Sequence, residues 1–387
     1  MEGGEVPAPD VVVVGGGVIG CSVAYHLRGL GLSTLVLESG QMGGQATRAA
    51  AGMLAPLTES RGPGPFLELG LRSLAMFEPL ADALREESGV DVELRRSGLL
   101  LLALDAAEER DLRERLAWLR ELDAGVRWLT PTEVRELEPL ATEAVCGALF
   151  VPREGHISST RWLDALALAA RRRGVQMREG CPVIGVLADG GRATGVLTAE
   201  GPVSCGHVVI AAGAWAGLLA GNLGIRVPVF PVRGQVLALR GRPVSGVILF
   251  GRPGYVVSKP DGSVIVGATE DEVGFDNRVT AGGMLQLLEV VPAIAPALAG
   301  AQFLRAWAGL RPASADLLPV IGPAPGLEGV TLAGGHYRNG ILLSPVTGAL
   351  VAKLIAQGEM DPMLGPLNPA RFANAPNSAD ARPTSLA

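Results

Sequence analysis

Four consecutive valines, Val11 to Val14, open the first regular pattern along this chain. A short, unbroken apolar run of that kind suits a strand buried on both faces, as parallel sheets require. Gly15, Gly17 and Gly20 follow it in G-x-G-x-x-G spacing. Helical periodicity then runs from Val18 to about Leu30, with Val18, Cys21, Tyr25 and Leu27 available to face a sheet. Gly31 stops the helix, and Thr34 to Leu37 is a second apolar run that ends on Glu38.

Further along, Phe66 to Ser88 and Ala106 to Leu122 read as long amphipathic helices, the second with its charges on a solvated face. Strands are predicted around Ser97-Gly98 between Leu94 and Leu104. Thr130-Pro131-Thr132-Glu133 carries the signature of a capped helix start, with Pro131 at the first helical position. Val145 to Val151 returns to strand, and Ser159 to Arg173 is a further helix. Val175 to Met177, Val183 to Leu187, Thr194 to Thr198 and Val203 to Ile210 supply more strands. The last of these runs into Ala211-Ala212-Gly213, a small-residue turn at the carboxyl end of a strand. From Val227 to Gly267 alternating runs separated by Gly/Pro turns, among them Pro260-Asp261-Gly262, predict a mostly antiparallel sheet. Val279 to Leu298 and Gly340 to Ala356 are helical in pattern. Ala306 to Pro312 and Val330 to Gly335 are expected to rejoin the first domain.

With 387 residues, 48% of them hydrophobic, and 53 glycines, the chain is globular and long enough for about two domains. Its net charge of −6 and scattered basic residues argue against a nucleic-acid partner. Cys21, Cys146, Cys181 and Cys205 are far apart, with neither zinc spacing nor a disulfide framework. A cytoplasmic location follows, and no metal is expected. Met1 to Pro9 is acidic without an apolar core, so no secretory signal is expected. No window approaches about 18 uninterrupted apolar residues, and no membrane span is expected.

The candidate chemistry begins at the glycine triplet. Gly15 permits a tight turn, Gly17 lets the backbone approach a pyrophosphate, and Gly20 lets helix and strand pack closely. The helix N-terminus offers free N–H groups and a positive dipole end to phosphate. Glu38 is placed to accept from both hydroxyls of an adenosine ribose. Strand, triplet, helix, strand and acid in this order predict dinucleotide binding. Few long side chains occur between Gly43 and Ala55. That suits either a backbone lying close to a flat ligand or a tightly packed loop-to-helix junction.

The blocks DVVVVGGGVIG, LVLESG, RAAAGMLAP, AAGAWA, WAGLRP and GGHYRNGILLSPVTG together resemble the D-amino-acid oxidase family of flavoproteins. The similarity is greatest to its glycine-oxidising subgroup in thiazole (thiamine) biosynthesis, and runs from about Asp10 to Gly358. The resemblance implies an α/β fold: a Rossmann-like FAD-binding domain with an inserted, mostly antiparallel β substrate domain. The expected division is 10–90, 145–225 and 301–358 for FAD, 91–144 and 226–300 for substrate, and a loose tail over 370–387.

It also implies residue roles. Gly15, Gly17, Val18, Ile19 and Gly20 would lie along the pyrophosphate, and Glu38 with Ser39 at the ribose. Ala46, Thr47, Ala51, Gly52 and Met53 would approach the flavin, Gly213 would line its channel, and Val183 would contact adenine. Gly335, His336, Tyr337, Arg338, Asn339, Gly340 and Ile341 would reach the flavin's O2 edge. Arg311 would clamp the substrate carboxylate, since a guanidinium forks onto a carboxylate in two parallel bonds. Tyr255 would help orient it, and Arg338 would serve substrate or cofactor. His336, inside a flavin-binding turn, is expected to make a structural hydrogen bond. Glu270 stands where relatives place an apolar residue; it either meets the substrate amine or points to solvent.

The implied activity is oxidation of glycine and other small amines, such as sarcosine and small D-amino acids, with O2 giving H2O2. FAD would be non-covalent, because no cysteine follows Cys205. A dehydrogenase passing electrons to a quinone or carrier, and a non-catalytic flavin-binding subunit, are the alternatives. Whether the chain forms a homo-oligomer is left open by the sequence.

Overall fold

The computed structural model describes residues 7–241 and 246–373. Part of the N-terminal segment read for a signal, residues 1–6, and most of the expected tail, residues 374–387, lie outside them. The valine run is the centre of a six-stranded sheet. Its strand order is Val320–Pro323, Val330–Gly334, His207–Ile210, Val11–Val14, Thr34–Leu37, Gln176–Arg178. All neighbours are parallel except Val320–Pro323 against Val330–Gly334. Alternation across the strand sends Val11 and Val13 into one core and Val12 and Val14 into another, which is why no polar residue interrupts the run.

On the first core face the helix Val18–Gly29 packs against the closing helix Gly340–Gln357. The approach depends on Gly348, where a Cβ would sit 2.3 Å from the Ser22 hydroxyl. That hydroxyl donates to the Ser344 carbonyl at 2.7 Å. The closing helix has a mean hydropathy of 1.5, long and apolar enough to cross a membrane, but here it is a core helix between Val18–Gly29 and Pro65–Ser88. Trp162 is fully buried under Phe77, rings 4.9 Å apart, and its indole N–H donates to Ser344.

The second large sheet has eight strands: Gln302–Ser314, Val229–Arg240, Ser263–Gly267, Gly254–Ser258, Ile248–Gly251, Leu99–Ala103, Gly147–Val151 and Arg127–Leu129. It is antiparallel except between Leu99–Ala103 and Ile248–Gly251. Periodicity cannot say which sheet a strand joins, and here the expected division needs correction. Gly147–Val151 and Gln302–Ser314, placed with the nucleotide domain from sequence, pair within the eight-stranded sheet. So the strand that carries Arg311 belongs to the eight-stranded sheet.

Other differences are local. The run Val203 to Ile210 is two strands: Gly201–Ser204 alternates in burial and joins a small three-stranded sheet, whereas His207–Ile210 joins the parallel one. The strand near Ser97-Gly98 is confined to Leu99–Ala103, with one isolated bridge from Arg95 to His156. The expected capping box at Thr130 and Glu133 forms. Residues 370–373 are not loose: Asn368 caps a short turn, Phe372 is buried, and Arg371 donates to Asp316 at 2.8 Å.

Candidate active site

A single cavity of 1360 Å³ extends from the glycine turn to the face of the eight-stranded sheet. At one end the turn Gly15–Gly17 meets the helix Val18–Gly29, which has no side-chain cap and no acidic residue in its first turn. A Cβ on Gly15 would stand 2.4 Å from the Ala211 carbonyl oxygen, and one on Gly20 only 1.9 Å from that of Gly15. At Gly17 a Cβ would meet nothing closer than Thr47 Oγ1 at 3.4 Å, so that position opens onto free space. Glu38 is held by its own loop: Oε2 accepts from Gly16 N at 2.7 Å, and Oε1 accepts from Gly40 N at 2.8 Å and Ser39 Oγ at 3.1 Å.

Small residues form the middle of the cavity. Ala46, Thr47, Ala51, Gly52 and Met53 all line it, as do Val183 and Gly213. Thr47 Oγ1 accepts from Val18 N at 3.1 Å, tying this segment to the helix start. Gly52 has φ of +80°, and a Cβ would lie 2.1 Å from the Ile157 carbonyl oxygen, so both backbone and space require glycine. From behind, Lys259 Nζ donates to Ala51 O at 2.6 Å and Ile157 O at 3.2 Å, beside His156. Burial pushes Lys259 down to about 7 against the opposing charges of Glu93 and Asp261, and pushes His156 down to about 3 with Lys259 and Arg95 adding to it.

The far end holds the charged groups. Arg311 Nη1 donates to the Thr269 carbonyl at 2.9 Å, its one hydrogen bond among the described residues. Tyr255 lies beside it, and Gly267 leaves the room: a Cβ there would be 2.3 Å from the ring. Burial raises the Tyr255 pKa, so its hydroxyl stays protonated. Arg338 bridges two carboxylates, Glu270 at 2.8 Å and Glu59 at 3.2 Å. Those charges, Glu59 foremost, raise its pKa. Glu270 is thus ion-paired to Arg338 at the cavity wall. His336 is buried, and Nε2 meets Thr347 Oγ1 at 3.0 Å, the structural bond expected. Burial drops its pKa to about 3, so the ring is neutral. Asn339, Gly340 and Ile341 line the cavity where the closing helix begins, and Asn339 makes no side-chain cap there.

Two residues named from sequence stand behind the wall. Gly20 packs on Gly15, and Gly335 packs on Val320 and Ser314; neither lines the cavity. Ser39, Tyr337 and the remaining named residues do line it. Sequence reasoning passed over Glu59, Arg115, Trp215 and Gly234, which also line it. Glu59 ends the one-turn helix Pro56–Glu59. At its start Glu154 accepts from Leu57 N, Thr58 N and Thr58 Oγ1 at 2.6, 2.9 and 2.5 Å. At its end Arg115 Nη2 donates to the carbonyls of Leu57, Thr58 and Ser60.

Burial raises the Glu154 carboxyl from 4.5 to about 7. Between those two values the folded protein holds a proton that the unfolded chain has lost, so this group's contribution to stability falls as pH rises through about 7. Glu154→Gln keeps an acceptor for the two amides and carries no charge. Its Tm is expected to match or exceed the parent's at pH 8 and to fall behind at pH 5, so the Tm–pH profile flattens. A parallel downward shift at both pH values would assign Glu154 a purely geometric role.

The residues fit a flavin dinucleotide. The glycine turn is open at Gly17, two helix N-termini whose N-cap residues make no side-chain cap border the cavity, and the buried Tyr337 hydroxyl on its wall has no hydrogen-bond partner among the described residues. A parallel sheet with a Gly-rich turn, sharing one cavity with a largely antiparallel sheet, is the arrangement of a dinucleotide-dependent enzyme. The DAO family pattern, described as FAD dependent oxidoreductase, matches residues 10–354, and the chain belongs to that family. It is similar to the glycine oxidase of Geobacillus kaustophilus (strain HTA426), 38% identical over 353 residues, 90% of this chain and 93% of that one. A crystal structure of glycine oxidase from Geobacillus kaustophilus superposes with TM-score 0.90 at 37% identity, covering 94% and 98% of the two chains. The bifunctional protein ThiO/ThiG of Nostoc sp. (strain PCC 7120) is 34% identical over 361 residues, 92% of this chain but 54% of that protein. The cofactor is FAD.

Proposed function

We propose that the protein oxidises glycine and other small amines to the imine, O2 being reduced to H2O2, and that the imine feeds thiazole formation in thiamine biosynthesis. The observation that carries this is the Arg311 guanidinium, which faces the cavity bonded only to the Thr269 carbonyl among the described residues. A half-buried cation without an acidic partner among the described residues is left under-compensated unless a ligand supplies the anion. An amino-acid carboxylate does so in two parallel bonds, with the Tyr255 hydroxyl as a further donor.

FAD, when bound, would supply the hydride acceptor and the route by which two electrons pass to O2. The protein's task is to hold the substrate Cα–H towards it in a site poor in water. The substrate's neutral amine loses hydride from Cα and a proton from nitrogen, leaving C=N. His336 is neutral but engaged with Thr347, and no side chain is needed as base. Glu38 would hold the ribose, and the start of the closing helix at Gly340 would bring its positive dipole end to the flavin, where it would favour negative charge. The Glu59–Arg338–Glu270 bridge closes the site with one excess carboxylate. Such a wall suits a small polar amine better than a branched apolar side chain. Four unpaired cysteines agree with a reducing cytoplasm.

The test is kcat/KM for glycine, D-alanine and D-phenylalanine, with anaerobic flavin bleaching and reoxidation in air followed by stopped flow. Glycine is expected to lead D-phenylalanine by tenfold or more, about the value of burying a bulky group against a carboxylate. D-phenylalanine leading would overturn the small-amine reading. Reduced flavin that persists in air would make the protein a dehydrogenase instead.

A further inference from the structure

The Arg311 side chain reaches its hydrogen-bond acceptor by crossing a neighbouring strand. Arg311 lies on Gln302–Ser314 opposite Val232, and Gly309 lies opposite Gly234. The acceptor, Thr269 O, is on the other side of Val229–Arg240, where Arg233 bridges to Asp271. The guanidinium passes over Gly234. A Cβ at that position would lie 2.4 Å from Arg311 Cζ and Nη2 and 2.5 Å from Nη1. Gly234 is not in the left-handed region, so its role is space rather than backbone freedom.

The acceptor itself is fixed from three directions. Thr269 N donates to Gln235 O at 3.2 Å, and Thr269 Oγ1 accepts from Gln235 N at 3.0 Å. The same hydroxyl donates to Asp271 Oδ2 at 2.9 Å. That oxygen also accepts from Gln235 Nε2 at 3.0 Å and Arg233 Nε at 3.1 Å. Gln235 Oε1 accepts from Thr280 N at 2.8 Å, and the helix beginning at Ala281 carries Gly283 where any Cβ would strike the Gln235 amide. Thr269, Gln235 and Arg233 are all buried. Burial pushes the Asp271 carboxyl up, but the bonds from Gln235, Thr269 and Arg233 outweigh it and hold the group ionised. An ionised carboxylate only accepts, so each donor's hydrogen is committed to it.

We propose that Asp271, Gln235 and Gly234 are positioning residues for the carboxylate clamp: they fix the Thr269 carbonyl and the passage over the strand, and so set where the Arg311 fork points. None of the three has to touch substrate. This rests on Arg311 binding the substrate carboxylate, as proposed above. A fork held by one Nη1 bond keeps its other N–H groups aimed into the cavity, and a shift of about 1 Å in such a group costs much of its value.

The test uses the full-length FAD holoenzyme. Glycolate, which carries the carboxylate without the amine, is titrated against oxidised flavin absorbance, and glycine kinetics are run in parallel. In Asp271→Asn and Gly234→Ala the glycolate Kd and glycine KM should each rise about tenfold or more, with kcat and FAD content changed less than about threefold. Thr269→Val, which removes only the hydroxyl, should follow in the same direction and stands in for Gly234→Ala if that variant does not fold. Arg311→Ala is the control. If it weakens glycolate binding while Asp271→Asn leaves it within about threefold, the positioning inference falls and the clamp stands. If Arg311→Ala leaves glycolate binding unchanged, the clamp itself is wrong. FAD loss in step with glycolate loss in Asp271→Asn would make the network a general fold support and overturn the inference.

Discussion

Arg311→Ala raises the KM for glycine by on the order of 10²-fold, about 3 kcal/mol, while the protein keeps its FAD. The magnitude comes from truncating one partner of a charge-assisted pair in a desolvated site, where the carboxylate left behind has no other cation to meet. Arg338 cannot take over, because Glu59 at 3.2 Å and Glu270 at 2.8 Å already hold it. Cofactor retention should persist because Arg311 sits on the eight-stranded sheet, while the glycine turn and Glu38 belong to the parallel one. Arg311→Lys tests the fork itself. A point charge restores attraction but not two parallel bonds, so it should recover only part of the loss. The check is steady-state kinetics with flavin content measured on the same preparations. A KM within about threefold of the parent, with flavin intact, would mean that another group binds the carboxylate.

Legibility divided along the range of the interactions involved. The turn at Gly15 and Gly17 and the acid at Glu38 were readable because strand, turn, helix and strand are contiguous, and their spacing is dictated by local geometry. Gly20 was readable as a packing residue, and the 1.9 Å that would separate a Cβ there from the Gly15 carbonyl oxygen shows that this position faces the strand rather than the cavity. Arg311 and Tyr255 carried no local signal and were named through the family resemblance. Even then the sheet that holds Arg311 was misassigned, since a period of two does not reveal a strand's partner. Arg115 was hidden among the charges of Ala106–Leu122. It turns inward because three carbonyls at the end of Pro56–Glu59 need a donor, a demand created by a segment more than fifty residues earlier. Gly234 looked like any strand glycine until the register set Arg311's side chain over it. The residues that hold the site's charges in place are thus long-range partners, and pattern along the chain is blind to them.

Gly17→Val abolishes FAD binding while leaving the fold standing, and Gly20→Val destabilises the fold itself. The two positions differ by three residues and by what lies over them. At Gly20 a Cβ would fall 1.9 Å from the Gly15 carbonyl oxygen and 3.3 Å from Val13, inside the packed junction of helix and strand. Backbone cannot yield there as a flexible side chain can, and overpacking of this kind costs about 1–3 kcal/mol or more. At Gly17 the nearest atom is Thr47 Oγ1 at 3.4 Å, ordinary contact, and the space beyond is the cavity. A valine there projects isopropyl carbons into the volume where a pyrophosphate would meet the helix start at Val18. It should be silent in the apoprotein's Tm and decisive in its colour. The measurement pairs visible absorbance of the purified protein with thermal melts, with and without added FAD. Parent protein should melt higher with FAD, as binding to the native state alone requires, and should release intact FAD on acid denaturation. Gly17→Val should melt near the parent apoprotein and gain nothing from FAD; Gly20→Val should melt well below it. A yellow Gly17→Val protein with the parent's flavin content would place the pyrophosphate elsewhere in the cavity.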